Sequence, residues 1–134
     1  MELLFTIEID LHDCHTLKSA KGQVNMVLFG GRCDCDFFHG DILSGGVDTQ
    51  RYLTGEQGRL SARYMLSGVD DEGAPTRLFI ENNGENDADG VCITTPRIFT
   101  DNPRLAWLEA VPLTGRVQGR EGGVTILFYT EELI

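Results

Sequence analysis

The stretch RLSARYMLSGVDDEGAPTRLFIEN, residues 59–82, decides the fold class. In its first half apolar and polar side chains alternate, so that one face carries Leu60, Ala62, Tyr64 and Leu66. The alternation returns over residues 76–82, where Leu78, Ile80 and Asn82 share a face. The segment between the two halves is rich in Asp and Gly, as turns are. Because a period of two is typical of half-buried strands, this stretch predicts a pair of antiparallel strands.

The same alternation recurs along the rest of the chain, interrupted by 16 glycines. Further strands are predicted at residues 2–9, 23–29, 32–39, 47–53, 91–95, 110–118 and 123–130. Gly30-Gly31 predicts a hairpin turn, and residues 83–90 predict a polar loop. One short helical turn is predicted near residues 103–108, because Asn102 is a candidate N-cap and Pro103 fits the first helical position.

These strands indicate an all-β protein with a single domain over residues 1–134. About nine or ten short strands joined by tight turns favour a closed or nearly closed antiparallel β-barrel, with a sandwich as the alternative. Closure removes exposed strand edges, which are a hazard for aggregation. A small antiparallel barrel has room for one small ligand in its interior.

The charge of the chain limits its partners. The net charge is −10, from 11 basic and 21 acidic residues. This acidic field repels phosphate backbones and anionic lipid, so we expect no nucleic-acid partner and no membrane partner. No apolar stretch approaches the roughly 20 residues that cross a bilayer, and the first residues lack the basic start of a signal peptide. We therefore expect a cytoplasmic protein whose four cysteines stay reduced.

Two clusters contain residue types that bind metals, but neither has the required spacing. Only one residue separates Cys33 from Cys35, whereas zinc sites use C-x₂₋₄-C pairs, and the segment His12–His15 lacks a matching partner. Glu85, Asp87 and Asp89 resemble the first half of a calcium loop, but Pro96 stands where the bidentate Glu belongs. We therefore predict no metal and no cofactor.

Polar side chains within the strands form the candidate site. Asp48 and Gln50 are two residues apart and share one face of a strand, while Tyr64 and Asn82 belong to apolar faces. If those faces line the barrel interior, these groups are paired with each other, with water or with a ligand. An Asp near apolar walls has a raised pKa, as a general acid or base requires.

Two further residues are ranked lower as ligand contacts. Arg63 has the opposite parity to Tyr64 and points outward unless a bulge intervenes. Trp107 is the only tryptophan; it is either a core anchor or one wall of a ligand pocket.

The order of several short motifs resembles a known family. The segment GDILSGGVDTQ, residues 40–50, is followed by Ala62-Arg63-Tyr64 and by FIEN at residues 79–82. Thr94-Thr95-Pro96, Asn102-Pro103 and Trp107-Leu108 come later in the chain. In this order the motifs resemble DUF3237, an uncharacterised family of small bacterial and fungal proteins.

The resemblance implies a lipocalin-like antiparallel barrel with a central cavity and no assigned activity. By position it implies the candidate site residues Asp48, Gln50, Arg63, Tyr64 and Asn82. Members of this family often have Trp after the Asp, whereas this chain has Thr49, which implies a different pocket shape.

Three functions from different classes follow. The first is a barrel that binds a small molecule. The second is a cofactor-independent acid–base enzyme of the isomerase, cyclase or hydro-lyase type, with Asp48 as base, Tyr64 as acid or electrophile, and Gln50 and Asn82 orienting the substrate. The third is a structural or interaction protein that forms a homodimer through an exposed Phe38 or Phe79.

Overall fold

The computed structural model describes residues 1–86 and 92–131, and within them the chain is almost entirely β-structure. The described strands are β1 (Glu2–Ser19), β2 (Gly22–Asp34), β3 (Phe38–Ile42), β4 (Val47–Leu53), β5 (Arg59–Asp70), β6 (Pro75–Asn86), β7 (Cys92–Thr100), β8 (Leu113–Arg120) and β9 (Gly123–Thr130). One short 3₁₀ helix, Pro103–Glu109, lies between β7 and β8.

The strands form one antiparallel sheet that closes into a ring. The strands follow one another in the order β1-β9-β8-β7-β6-β5. Both β3 and β4 then connect β5 to β2, and β2 pairs with β1 to complete the ring. β3 and β4 together fill a single position in the ring, because both pair with β2 on one side and β5 on the other. The predicted all-β barrel is therefore confirmed.

The inward faces of the strands supply the core. Its largest fully buried side chains include Phe38, Phe128, Ile7, Leu66, Leu78, Ile80 and Leu108. Phe5 stacks on Phe128 with ring centroids 4.4 Å apart. The predicted alternation of β5 and β6 is confirmed, since Tyr64, Leu66, Leu78, Ile80 and Asn82 are all buried.

The 3₁₀ helix forms where the sequence predicts it. Asn102 caps the helix by accepting a hydrogen bond from the Arg104 backbone N–H at 3.0 Å. The Asn102 side-chain amide also donates to Asp70 at 2.9 Å and to Thr76 at 2.7 Å. Leu105 and Leu108 belong to the core cluster, so the helix covers the end of the barrel at which β5 ends and β6 begins.

The predicted hairpin turn at Gly30-Gly31 is wrong. Both glycines lie inside β2, where they pair with Asp10 and Ile9 of β1. A Cβ on Gly31 would stand 1.9 Å from the Glu8 carbonyl oxygen, and the φ of Gly31 is +143°. The glycines therefore allow a close approach of β1, and the turn lies at residues 20–21, between the long strands β1 and β2.

Strands β1 and β6 extend further than the sequence predicts. Residues 10–19 continue β1, and residues 83–86 of the predicted polar loop continue β6. These polar segments are held as strand by the backbone hydrogen bonds of their neighbours, since β2 pairs along β1 up to Ser19 and β7 pairs along β6 up to Asn86. Local polarity is a poor guide where a partner strand satisfies the backbone.

Candidate functional site

A cavity of about 230 Å³ lies inside the barrel, at the end opposite the 3₁₀ helix. Much of its wall is apolar, from residues such as Val27, Phe29, Val124 and Ile126. Its polar lining side chains are Asp48, Gln50, Tyr64, Asn82 and Thr94. Four of the six predicted ligand-contact residues, Asp48, Gln50, Tyr64 and Asn82, thus line one cavity.

A larger groove of about 680 Å³ lies outside the barrel and is open to solvent. Its polar groups pair with each other on the surface. Arg59 forms an ion pair with Glu85 at 3.6 Å, and the Ser61 hydroxyl donates to Asn83 at 2.6 Å. The interior cavity is therefore the stronger candidate site.

Asp48 and Asn82 lie on either side of Ala62 in one cross-strand row. Ala62 of β5 pairs with Asp48 of β4 and with Asn82 of β6. Because side chains in such a row point to the same face of the sheet, both polar groups project into the cavity beside a single methyl group. A small residue at position 62 leaves the space between them open.

A chain of amide hydrogen bonds holds Asp48 in place. The Gln50 Nε2 donates to Asp48 Oδ2 at 3.0 Å, and the Asn25 Nδ2 donates to Gln50 Oε1 at 3.2 Å. Asn25 Oδ1 in turn accepts from Thr16 and from Gln23. Since Asn25 occupies the carbonyl oxygen of Gln50, the amide N–H₂ of Gln50 must face the carboxyl group.

The second oxygen of Asp48, Oδ1, is buried and has no hydrogen-bond partner within the described residues. Burial raises the pKa of Asp48 above its ordinary value, and the hydrogen bonds from Gln50 and from the Ser61 backbone oppose this rise only in part. Asp48 is therefore a carboxyl group that takes up a proton more readily than an exposed Asp.

Tyr64 presents a second unpaired group. Its hydroxyl is buried and has no hydrogen-bond partner in the part of the chain that is described. The ring packs edge-on against Phe29, with centroids 5.2 Å apart. Burial raises the pKa of Tyr64, so the hydroxyl stays protonated and offers an O–H donor.

Asn82 and Thr94 complete the polar set. Within residues 1–86 and 92–131, Asn82 Oδ1 and Thr94 Oγ1 are also buried without a hydrogen-bond partner. Glycines stand beside Thr94 on both neighbouring strands, since it pairs with Gly84 and Gly115. A Cβ on Gly115 would lie 2.2 Å from Thr94 Oγ1, so this glycine makes room for the threonine side chain.

Thr94 and Cys92 also line the cavity, although the sequence analysis predicts neither as a site residue. Burial raises the pKa of Cys92, with the nearby Asp48 charge as a smaller cause. No local signal marks these residues, because their place in the cavity depends on the pairing of β7 with β6 and β8.

Two predicted ligand contacts, Arg63 and Trp107, lie outside the cavity. Arg63 points outward, as its parity indicated, and forms an ion pair with Glu81 at 3.2 Å. Trp107 is 40% exposed and lies on the 3₁₀ helix, where its ring meets the edge of Phe37 at 5.2 Å between centroids. Neither residue is among those that line the cavity.

No group of three or more His, Cys, Asp or Glu side chains within the described residues has the geometry of a metal site. All four cysteines are free thiols. Asp87 and Asp89 of the calcium-loop-like segment lie outside the described residues, and Glu85 is paired with Arg59. Across the described parts of the chain, no helix has the length and hydropathy needed to span a membrane.

The predicted exposure of Phe38 is wrong. Phe38 is fully buried, because it pairs with Asp70 at the closed end of the barrel and its side chain enters the core. Phe79 faces outward next to Phe99, with ring centroids 6.0 Å apart.

Comparison with known proteins agrees with the fold. A family model described as "Protein of unknown function (DUF3237)" matches residues 1–90. No curated protein matches the sequence.

Several solved structures share the whole architecture. A protein of unknown function from Clostridium acetobutylicum ATCC 824 is similar at 23% identity and a TM-score of 0.80, over 96% of this chain and 94% of that chain. A conserved protein of unknown function from Rhodopseudomonas palustris is similar at 21% identity and a TM-score of 0.74, over 94% of this chain and 92% of that one. A protein described as beta-barrel like, from Acinetobacter baumannii AYE, is similar at 22% identity and a TM-score of 0.74, over 96% and 93% of the two chains. At these identities the similarity shows the fold alone.

Proposed function

The chain belongs to the family described as "Protein of unknown function (DUF3237)". We propose that it is a β-barrel that binds a small molecule in its polar cavity. The ligand is an uncharged compound with an apolar skeleton and at least one group, such as a hydroxyl, that can both donate and accept a hydrogen bond.

One observation carries this proposal. Four of the side chains that line the cavity have a buried polar atom with no hydrogen-bond partner among the described residues. They are Asp48, Tyr64, Asn82 and Thr94. An unsatisfied buried polar group costs about 1–3 kcal/mol. A purely structural network satisfies its members, whereas four unsatisfied members around one cavity are typical of a site that a ligand completes.

The lining of the cavity supports an uncharged ligand. No Lys or Arg is among the described residues that line the cavity, so a carboxylate or phosphate group has no cation to pair with there. Asn82 Oδ1 accepts a hydrogen bond, and the protonated Tyr64 hydroxyl donates one. The cavity volume of about 230 Å³ is smaller than the roughly 300–1,000 Å³ of pockets for drug-sized ligands, so the proposed ligand is smaller than these.

The test uses two probes that share one skeleton and differ in charge, cyclohexanol and cyclohexanecarboxylate. Binding is measured by isothermal titration calorimetry and by ¹H–¹⁵N shift changes at neutral pH. We expect the alcohol to bind and to shift the amide signals around residues 48, 64 and 82, and the carboxylate to bind at least tenfold more weakly. Tighter binding of the carboxylate, or shifts confined to the outer surface, would contradict the proposal.

Native mass spectrometry of untagged protein, before and after denaturation, tests the same proposal without a chosen probe. An excess mass that is lost on denaturation identifies the class of retained ligand. The variant for this test is Asn82→Leu, which removes the polar atoms of the side chain at nearly constant volume. We expect it to lose that ligand.

Acid–base catalysis is a second candidate function, and the environment of Asp48 favours it. Burial raises the pKa of Asp48, and the Tyr64 hydroxyl lines the same cavity. A carboxylate in such a site removes a proton next to a carbonyl group, while a phenol O–H stabilises the oxygen. Cyclohexanone in D₂O tests this: we expect deuterium at the carbon next to the carbonyl to appear faster with protein, and Asp48→Asn to abolish the acceleration. Equal rates in both proteins would remove this candidate.

A homodimer is the third candidate, and an outward apolar row favours it. Met65, Phe79 and Phe99 pair in register across β5, β6 and β7. Met65 is 36% exposed and Phe99 is 43% exposed. Sedimentation velocity at micromolar concentration is expected to give a dimer that Phe99→Lys converts to a monomer; a wild-type monomer would contradict it.

A further inference from the structure

Cys33 and Cys35 bring two thiols together near the end of β2, away from the mouth of the cavity. Their sulfur atoms are 3.9 Å apart. Cys33 is 2% exposed and also contacts the Thr6 carbonyl oxygen at 3.5 Å. Cys35 follows the last residue of β2 and is only partly buried. One thiol is therefore open to small reagents, and the other lies directly behind it.

The backbone around Cys35 forms a cradle for its sulfur. The Cys35 N–H donates to the Phe38 carbonyl oxygen at 2.9 Å, which closes a tight turn over residues 35–38. The Cys33 thiol donates to the Cys35 sulfur, and the backbone N–H groups of Phe37 and Phe38 in that turn lower the pKa of Cys35 in the same direction. Such donors stabilise a thiolate in the way that they stabilise a carboxylate.

The groups around the pair shift the pKa values of the two thiols in opposite directions. The Cys33 hydrogen bond and the turn N–H groups lower the pKa of Cys35 to about 7, and nearby His39 adds to this effect. His39 contacts Asp34, which raises the pKa of the imidazole, and Asp36 acts in the same direction. For Cys33 the hydrogen bond to Cys35, burial and the Asp34 charge all raise the pKa, so this thiol keeps its proton.

We propose that Cys33 and Cys35 are a peroxide-oxidised dithiol, in which Cys35 is the attacking thiolate and Cys33 is the resolving thiol. The Cys35 thiolate attacks hydrogen peroxide; an S–O bond forms, the O–O bond breaks, and the leaving hydroxide takes a proton to become water. Cys33 then gives up its proton and attacks the Cys35 sulfenic acid; the S–S bond forms, the S–O bond breaks, and a second water leaves. In sum, two thiols and one peroxide give one disulfide and two waters.

A metal site explains this pair less well. The described residues supply no third His, Cys, Asp or Glu in ligand geometry beside the two sulfurs. The other cysteines differ in their surroundings: Cys14 is exposed on β1, and Cys92 lines the cavity. Neither Cys14 nor Cys92 is hydrogen-bonded to another thiol within the described residues. Both can therefore be replaced by serine so that only the proposed pair reacts.

The test starts from a Cys14→Ser/Cys92→Ser variant, in which only the proposed pair remains. After treatment with hydrogen peroxide and quenching, intact mass spectrometry is expected to show the loss of two hydrogen atoms. Peptide mapping should place the bond between positions 33 and 35, and dithiothreitol should restore the original mass. A gain of one or more oxygen atoms without loss of hydrogen, or an intermolecular disulfide, would overturn the proposal.

The single variants distinguish the two roles. In Cys33→Ser the sulfenic acid has no resolving thiol, so dimedone is expected to label Cys35, whereas Cys35→Ser should show no dimedone label at Cys33. If Cys33→Ser fails to fold, the background variant still decides the assignment. Its iodoacetamide labelling is expected at Cys35 with a midpoint near pH 7 and to be at least tenfold slower at Cys33; equal rates at the two positions would contradict the assigned roles.

Discussion

Asp48 and Asn82 face each other across the methyl group of Ala62, with which both are in register from opposite sides of β5. Each carries a buried oxygen that lacks a hydrogen-bond partner among the described residues. The cavity thus has its polar groups on two different strands and its open space over the strand between them. This arrangement makes position 62 the most direct way to fill the proposed site.

Ala62→Leu is expected to abolish binding of cyclohexanol, because the larger side chain occupies the space between Asp48 and Asn82. The cost in stability should lie at or below the low end of the roughly 1–3 kcal/mol that overpacking costs, because the cavity takes up part of the added volume. Titration calorimetry and urea unfolding measure the two effects. Met65→Leu on the outer face of the same strand is the control and should leave both unchanged. Retained binding in Ala62→Leu would place the ligand elsewhere.

Tyr64→Phe separates a ligand contact from a structural one. The hydroxyl makes no hydrogen bond within the described residues, so its removal should leave the free energy of unfolding unchanged or slightly raised. Loss of one neutral hydrogen bond to the ligand should weaken binding by about 1 kcal/mol, which is roughly fivefold in Kd. Tyr52→Phe, at a 38% exposed position, is the matched control. A large loss of stability in Tyr64→Phe would point to a structural role instead.

Because the pKa of Asp48 is raised in the folded protein, we expect its contribution to stability to fall as pH rises. Burial raises the pKa of Asp48 in the folded protein above the value of 3.8 that applies when it is exposed. Between 3.8 and the folded value, the folded state binds more protons at this site than the unfolded state. The contribution of Asp48 to stability is therefore complete at low pH and falls as pH rises through that window.

Urea unfolding from pH 4 to pH 7 measures this dependence, with ¹³C-detected titration of the Asp48 carboxyl group as the direct readout. We expect Asp48→Asn to remove the decline attributable to this residue. An identical pH profile in the variant would show that Asp48 titrates as an exposed carboxyl group does.

Gly115 and Thr94 are expected to be energetically coupled. A Cβ at Gly115 would meet Thr94 Oγ1 at 2.2 Å, so Gly115→Ala should destabilise the protein by about 1–3 kcal/mol through overpacking. Thr94→Ala removes the obstructing hydroxyl, and the double variant should recover most of the loss in a double-mutant cycle. Gly119→Ala is the control, because a Cβ there meets no atom within 4 Å. Additive effects at positions 94 and 115 would show that the two do not interact.

Local patterns predicted the fold class and part of the site. Alternation assigns each strand residue to a face without knowledge of its neighbours, which is why Tyr64 and Asn82 were predicted inward and Arg63 outward. The cap at Asn102 was also predictable, because an N-cap hydrogen bond reaches only two residues along the chain. The same local reasoning failed at Gly30-Gly31, where contact with β1 rather than a turn requires the glycines.

Periodicity over a few residues was enough to predict an all-β chain with polar side chains on some inward strand faces. The choice of a barrel over a sandwich, and which of those side chains meet, became clear only from the tertiary structure. The row of Asp48, Ala62 and Asn82, the glycine beside Thr94, and the closure of β2 onto β1 all depend on register between separate strands. Register is fixed by the packing of the whole core, and no single strand contains that information.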